Sequence, residues 1–367
     1  MPGFKSRYGP AVLCPDPDVD LEAWLCFMLR LAAEHDQRAV LIASADKYVT
    51  AIAMHSDTLQ RHYIISPGVA LHAALAEKQT QYQLAIQHGM PMPRTSIVSS
   101  LAEVEAFGRE ARFPCLIKPT HFREWQKFES GHPLLNTKVR VVESTSDLCA
   151  SYQLAAHVTR QLVLQEVIQG DDSCKLVYLS CYDSSRQRIA NAMFRPLRCE
   201  PMGFGPAAVM EPACDPEVDA ICDTFLRRIG YSGICEIEMK RDTRDGKVKL
   251  IEANPRLSGS GDAAPYSGVD ICWLHYLDLI GRPVRPVSPD GNSFRHVVLR
   301  SDARAIPQYL SAHAITWRDV WNSYRGPLAF YDIDWRDWRY SVETIYLSAR
   351  AFLWRTLRSL FGGRIYS

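Results

Sequence analysis

The stretch 235–256, Cys-Glu-Ile-Glu-Met-Lys-Arg-Asp-Thr-Arg-Asp-Gly-Lys-Val-Lys-Leu-Ile-Glu-Ala-Asn-Pro-Arg, constrains this chain more than any other. Short alternating runs flank Arg244-Asp245-Gly246, and Asp-Gly is a strong tight-turn signal, so the stretch predicts a β-hairpin. Side chains alternate along a strand, which puts Glu236 and Glu238 on one face of the first strand and Glu252 and Asn254 on one face of the second. Pairing then brings Glu238 beside Glu252 and Asn254. Three oxygen-bearing side chains on a rigid hairpin make a hard-cation site, the kind magnesium uses when it also holds substrate phosphates. Arg256, just past the strand-ending Pro255, can reach such a phosphate. The competing reading, solvated carboxylates on an exposed strand, must explain the carboxylate pair, the amide and the arginine all at once.

The whole chain sets the outer limits. Its 367 residues suffice for two or three domains with a sizeable core. A net charge of +1 with no long run of either sign gives no reason to expect a nucleic-acid partner. None of the eleven cysteines stands in a Cys-x-x-Cys pair, and the first residues lack the apolar core of a signal peptide. They are read as reduced thiols of a cytoplasmic protein. No apolar run approaches the roughly 20 residues of a membrane-spanning helix.

Along the chain, apolar spacing predicts a helix over 21–33, a short strand over 39–43 and a helix ending at Met54, a small parallel βα domain. Asp46 lies in the loop where such a domain places ligands, although a helix cap is its commoner use. A single helix is predicted over 71–88, followed by Gly89-Met90-Pro91-Met92-Pro93 at a domain boundary. The strand 113–119 ends in Lys118-Pro119, and a lysine closing an apolar strand calls for an anion. The polar segment 121–136 reads as a mobile loop. Lys138 and Arg140 share one face of a strand over 137–142, a second phosphate grip or an edge strand guarded by charge. Next come the strand 161–167, ending in Gln165-Glu166-Val167-Ile168, and the carboxylates Asp171 and Asp172 past Gly170. A hairpin over 176–194 leads to Arg195, Arg198 and Gly203-Phe204-Gly205. A helix over 218–229 precedes the metal hairpin, and a flexible loop, Ser258 to Asp262, follows it.

Two cationic grips, a hinge with following acids and a metal hairpin, in that order, resemble the ATP-grasp superfamily, in its carbamoyl-phosphate-synthase-like, carboxylate-amine ligase branch. The likeness covers about 77–281 and rests on Lys118-Pro119, on Gln165-Glu166 through Asp172, and on Glu252-x-Asn254-Pro255-Arg256. It implies an α/β (α+β) ATP-grasp fold. The expected parts are a short, truncated Rossmann-like pre-ATP-grasp domain over 1–76, the two grasp subdomains over 77–165 and 166–290, and an extension over 291–367. It further implies that Lys118 and Lys138 hold the ATP phosphates and that Gln165, Glu166, Val167 and Ile168 face adenine. Asp172, or Asp171, would take the ribose. Glu238, Glu252 and Asn254 would hold one or two magnesium ions, or manganese, and Arg256 would steady the transferring phosphoryl, with Lys138 assisting. The segment 195–205 and the loop 258–262 would lie near the acceptor, and Lys78 matches a family lysine without an assigned role. The implied reaction joins a small carboxylate to an amine through an acyl phosphate, and a homodimer is compatible with it; a thiol or ammonia is an alternative acceptor. The competing class is a non-catalytic nucleotide-binding or membrane-associated protein on a degenerate fold.

The segment 334–361 departs from the family pattern. It carries Trp335, Trp338, Ile345, Leu353, Trp354, Leu357 and Phe361 among Arg339, Arg350, Arg355 and Arg358. Such a basic, aromatic-rich helix either lies at an anionic membrane surface or packs back on its own domain.

Overall fold

The computed structural model describes residues 6–120, 122–135, 137, 139–159 and 161–360. In chain order the first elements are α1 (Leu21–Ala33), β1 (Ala39–Val40), α2 (Asp46–Met54), α3 (Ser56–Leu59), β2 (Tyr63–Ile64) and α4 (Val69–Ala76). They are followed by α5 (Lys78–Gln87), β3 (Thr95–Val98), α6 (Leu101–Glu110), β4 (Cys115–Pro119), β5 (Arg140–Val142), α7 (Thr145–Ala155) and β6 (Leu162–Glu166). Next come β7 (Lys175–Tyr182), β8 (Arg188–Cys199), β9 (Ala207–Pro212), α8 (Pro216–Arg228), β10 (Gly233–Arg241), β11 (Val248–Asn254) and α9 (Ile271–Leu279). The last are β12 (Arg295–Val297), α10 (Leu299–Ser311), α11 (Trp317–Ser323), β13 (Leu328–Phe330) and α12 (Trp338–Leu360). The described residues divide into two compact units, one of 6–76, 171–239 and 252–360, the other of 77–170 and 240–251.

In the first unit β1 and β2 pair in parallel with α2 and α3 between them, and β1 covers only 39–40 of the strand expected over 39–43. Asp20 caps α1 by accepting from the Ala23 amide at 2.8 Å, and Trp24, Ile52 and Leu59 form a small core. A seven-stranded sheet in the order β11-β10-β7-β8-β9-β12-β13 is antiparallel through β7, β8, β9 and β12 and turns parallel at β13. Leu179, Phe194, Ile234 and Val269 lie in its main core.

The second unit is built on a four-stranded antiparallel sheet in the order β3-β6-β4-β5. Ser100 and Glu103 close a capping box on α6. The segment expected to be a mobile loop departs from that reading. Residues 122–127 form a 3-10 helix, and Trp125, Phe128 and Leu134 are buried with Ile117, Leu148 and Leu164. Three large apolar side chains without a regular period outweigh the polar residues around them.

The helix expected over 71–88 is interrupted at Glu77, whose backbone is extended. Its carboxylate accepts from the Gln79 amide at 2.9 Å and also from that of Thr80, starting α5 afresh. The strand expected over 137–142 covers only 140–142. Lys138, with His121, Asn136 and Phe361, lies outside the described residues, as do the side chains of Arg355, Leu357 and Arg358.

At the other end of the first unit, α12 packs on α10. Among its described side chains Ser341, Thr344 and Ser348 are buried, while Trp338, Val342, Tyr346 and Leu353 are exposed. Ser348 donates to the Thr344 carbonyl at 2.7 Å, and small side chains of this kind let two helix backbones approach closely. The helix thus packs back on its own domain, and does so through small polar side chains, with the aromatic ones outward. No helix among the described residues is long and apolar enough to cross a membrane.

Candidate active site

The hairpin is formed by β10 and β11, but its connection is longer than a two-residue turn. Asp242 is fully buried and accepts from Arg244 Nη2 and from Lys249 Nζ, both at 2.7 Å. Gly246, at φ +70°, supplies the left-handed residue that the loop needs. The hydrogen bonds of Arg244 and Lys249 hold the Asp242 carboxyl well below its ordinary range against the opposing effect of burial.

On β10, Glu238 meets the ammonium of Lys175 at 3.2 Å. Lys175 is buried and also donates to the Gly205 carbonyl at 3.1 Å. Burial alone lowers the affinity of that ammonium for its proton, but Glu238, with Cys199 and Asp172, raises it above the ordinary value. This cation escapes sequence reading because it opens an otherwise apolar strand; its only signal is a charge at an inward position of β7.

Glu236, two residues earlier, is buried and accepts from Ser258 Oγ at 2.5 Å and from Ser260. Burial, then the neighbouring Glu238, pushes the Glu236 carboxyl up. The loop expected to be flexible is therefore tied to β10 and contains a 3-10 helix over 259–262. Asn254 is buried; its amide donates to Glu236 Oε1 at 3.4 Å, and its Oδ1 accepts from Arg256 Nη2 at 3.1 Å. Arg256 Nε donates to Asp46 Oδ1 at 2.6 Å. Asp46, in the first turn of α2, thus engages the arginine, and Ala45 stands at the cap position. Burial opposes the Arg256 charge, but Asp46, followed by Glu236 and Glu252, raises its proton affinity.

Glu238, Glu252 and Asn254 are all oxygen donors, which suits magnesium and not a metal that prefers sulfur or imidazole. No group of three or more His, Cys, Asp or Glu residues gathers as a metal site among the described residues. Two carboxylates and an amide are the partial set magnesium uses when phosphate oxygens complete its shell.

In the second unit, Lys118 donates to Gln165 Oε1 at 3.3 Å and lies over the Tyr82 ring, 5.7 Å from its centroid. Gln165 Nε2 donates to Thr95 Oγ1 at 2.8 Å, which fixes the amide's orientation. Glu166 is buried, and its carboxylate accepts from the Arg112 amide at 2.8 Å. The Val167 amide donates to the Pro114 carbonyl at 3.0 Å, and its carbonyl accepts from Arg244 Nη2 at 2.9 Å. Ile168 is buried. Periodicity shows that this strand ends here, but not that β4 and the hairpin loop both bind its end.

Asp171 and Asp172 belong to the first unit and differ sharply. Asp171 is exposed and caps the 3-10 helix 172–174 by accepting from the Ser173 amide at 2.9 Å, and its carboxylate also accepts from Ser173 Oγ at 2.6 Å. Asp172 is buried and accepts from the Gly203 amide at 3.1 Å and from the Tyr309 hydroxyl. Arg198 is also taken up internally, in a two-pronged ion pair with Asp302.

No family model matches the chain. It is 28% identical over 259 residues to a D-aspartate ligase of Enterococcus faecium, across 66% of this chain and 60% of the relative. It is 25% identical over 248 residues to the carbamoyl phosphate synthase large chain of Thermus thermophilus, covering 63% of this chain and 22% of that one. The chain thus spans less than two thirds of these relatives. Among solved structures it resembles the biotin carboxylase domain of Hydrogenobacter thermophilus 2-oxoglutarate carboxylase, determined with MgADP, ADP and bicarbonate. That match has a TM-score of 0.58 at 16% identity and covers 77% of this chain and 61% of that one. An L-amino acid ligase from Bacillus licheniformis matches with a TM-score of 0.53 at 15% identity, over 73% and 62% of the two chains.

Proposed function

We propose that this chain, which belongs to the ATP-grasp superfamily, is an ATP- and magnesium-dependent carboxylate-amine ligase. The observation that carries the reading is the group around Asn254, where an oxygen-donor set and a half-buried, ion-paired arginine come from one hairpin and its exit. Glu238, Glu252 and Asn254 would hold one or two magnesium ions, with manganese as a substitute. Magnesium, when bound, supplies positive charge against the phosphates. Lys118 and Lys138 would grip the phosphates, and Gln165 to Ile168 would face adenine. Of the two acids, Asp171 is the exposed one, and we assign it to the ribose; Asp172 instead holds Gly203 and Tyr309 in place.

The carboxylate oxygen of the substrate attacks the γ-phosphorus, the bond to ADP breaks, and an acyl phosphate forms. The amine nitrogen then attacks the acyl carbon, loses a proton, and phosphate leaves with the bonding electrons. Two anions must meet in the first step, and Arg256 provides a fixed charge for it. No protein nucleophile is needed. The test is ADP release with ATP and magnesium over a panel of carboxylate and amine pairs. Release that depends on both partners is expected; nucleotide binding with no release on any pair would favour the non-catalytic reading.

A homodimer, the state of the Hydrogenobacter biotin carboxylase domain, is part of the same proposal. So is peripheral membrane contact, supported by the outward aromatic face of α12 and by Arg339 and Arg350 exposed beside it. The protein is expected to sediment with anionic phosphatidylglycerol vesicles and not with neutral phosphatidylcholine ones. Joint replacement of Trp338, Val342 and Tyr346 by serine should abolish that sedimentation, and equal sedimentation of both forms would sink the idea.

A further inference from the structure

Lys175, Glu238 and Glu252 stand on three neighbouring strands of the seven-stranded sheet, β7, β10 and β11 in that spatial order. Strands in a sheet lie about 4.8 Å apart, so β7 is one spacing from the strand of Glu238 and two from that of Glu252. The Lys175 ammonium stands 3.2 Å from Glu238 Oε2, with side-chain exposures of 5% and 20% for the pair. A fixed cation therefore sits on a carboxylate of the metal hairpin.

That cation is held from several sides. Nζ also donates to the Gly205 carbonyl at 3.1 Å, and the buried Asp172 adds a second negative charge to its surroundings. The backbone is tied as well: the Lys175 amide donates to the Asp172 carbonyl at the end of the 3-10 helix 172–174, and two residues later Val177 pairs with Phe194 of β8. Turning the ammonium out of this place breaks a buried pair and leaves Glu238 without its partner, which is costly.

The number of metal ions that the donor set draws depends on the negative charge left for them. In two-ion sites the metals stand roughly 3.5–4 Å apart, and both carboxylates of this hairpin would be needed to hold them. A magnesium ion on Glu238 Oε2, at the roughly 2.1 Å of its bonds to oxygen, would come within about 5 Å of the ammonium, like charge against like where little water screens them. The ammonium neutralises Glu238 by donating hydrogen bonds, with no coordination position of its own.

We propose that Lys175 takes the place of a second metal ion, so that the hairpin binds one divalent cation together with the nucleotide. The inference rests on the ligase reading above and narrows its metal count.

The test counts bound manganese on the full chain with saturating adenylyl imidodiphosphate, an ATP analogue that is not hydrolysed, from the loss of the free ion's electron paramagnetic resonance signal. No acid or amine is present, so the count is independent of turnover. One ion per chain is expected in the wild type and in Lys175→Arg, which keeps the charge. Two are expected in Lys175→Met and in Lys175→Gln, each checked for cooperative melting, because Glu238 is then without its cation. Two ions in the wild type overturn the proposal whether or not either variant folds, and leave the ligase reading intact. A single ion in both neutral variants overturns it as well; if they also bind the analogue more weakly without manganese, Lys175 grips a phosphate instead. No ion bound by the wild type removes the metal hairpin and this inference together.

Discussion

Replacing Glu252 by glutamine is expected to lower ATP turnover by about 10²- to 10³-fold, the range seen when one fixed electrostatic contact to a developing charge is removed. The change is nearly isosteric, so it takes away charge without taking away volume. Glu252 is half-buried on β11, next to the buried Ala253 and two residues before Asn254, and the strand retains its ladder and its apolar neighbours Val248 and Leu250. Thermal stability should therefore hold, and the loss should appear in catalysis. Two readouts mark the origin of the effect. The magnesium concentration for half-maximal rate should rise, because one of two carboxylates has gone, and nucleotide affinity measured without magnesium should stay the same. Arg256 should feel the change as well, since Glu252 is one of the charges that favour its protonated form. Full ATP turnover in the Gln variant, with a competent acid and amine, would remove Glu252 from the metal site.

The parts of the molecule that were legible in sequence are those set by local periodicity and turn chemistry. The alternation of 235–256 predicts the hairpin, and β10 and β11 occupy it. The 3.6-residue spacing of 21–33 predicts α1, whose bounds agree. What was not legible depends on partners distant in the chain. Lys175 meets Glu238 across 63 residues and Arg256 meets Asp46 across 210, so neither strand nor helix pattern contains the information. Aromatic residues in an aperiodic stretch were also misread: Trp125 and Phe128 carry no period, yet they bury enough apolar surface to order 122–135. The outward face of α12 is the reverse case. Its apolar periodicity is real, but Ser341, Thr344 and Ser348 occupy the buried side, and hydropathy alone assigns the faces the other way round.

Arg198 is the sharpest instance, and it leads to the second large effect. A sequence reading places this arginine near the acceptor. In the fold its Nε and Nη2 donate to Asp302 Oδ1 and Oδ2 at 2.7 and 2.8 Å, with side-chain exposures of 2% and 0% for the pair. Tyr324 donates to the same carboxylate, so β8, α10 and the residue following α11 meet there. Removing one partner strands the other as a buried charge, whereas removing both leaves an apolar gap that a hydrophobic pair can fill. Asp302→Ala is thus expected to destabilise the protein by about 3–5 kcal/mol, a fall of roughly 10 °C in melting temperature. Arg198→Met with Asp302→Leu should lose much less than Asp302→Ala alone, or nothing. A denaturant-melting cycle over the wild type, Asp302→Leu, Arg198→Met and the double variant measures the coupling. Additive losses would show that the pair does not act as a unit. If instead Arg198→Met changed only the KM for an amine and left stability untouched, the arginine would belong to the substrate and not to the fold.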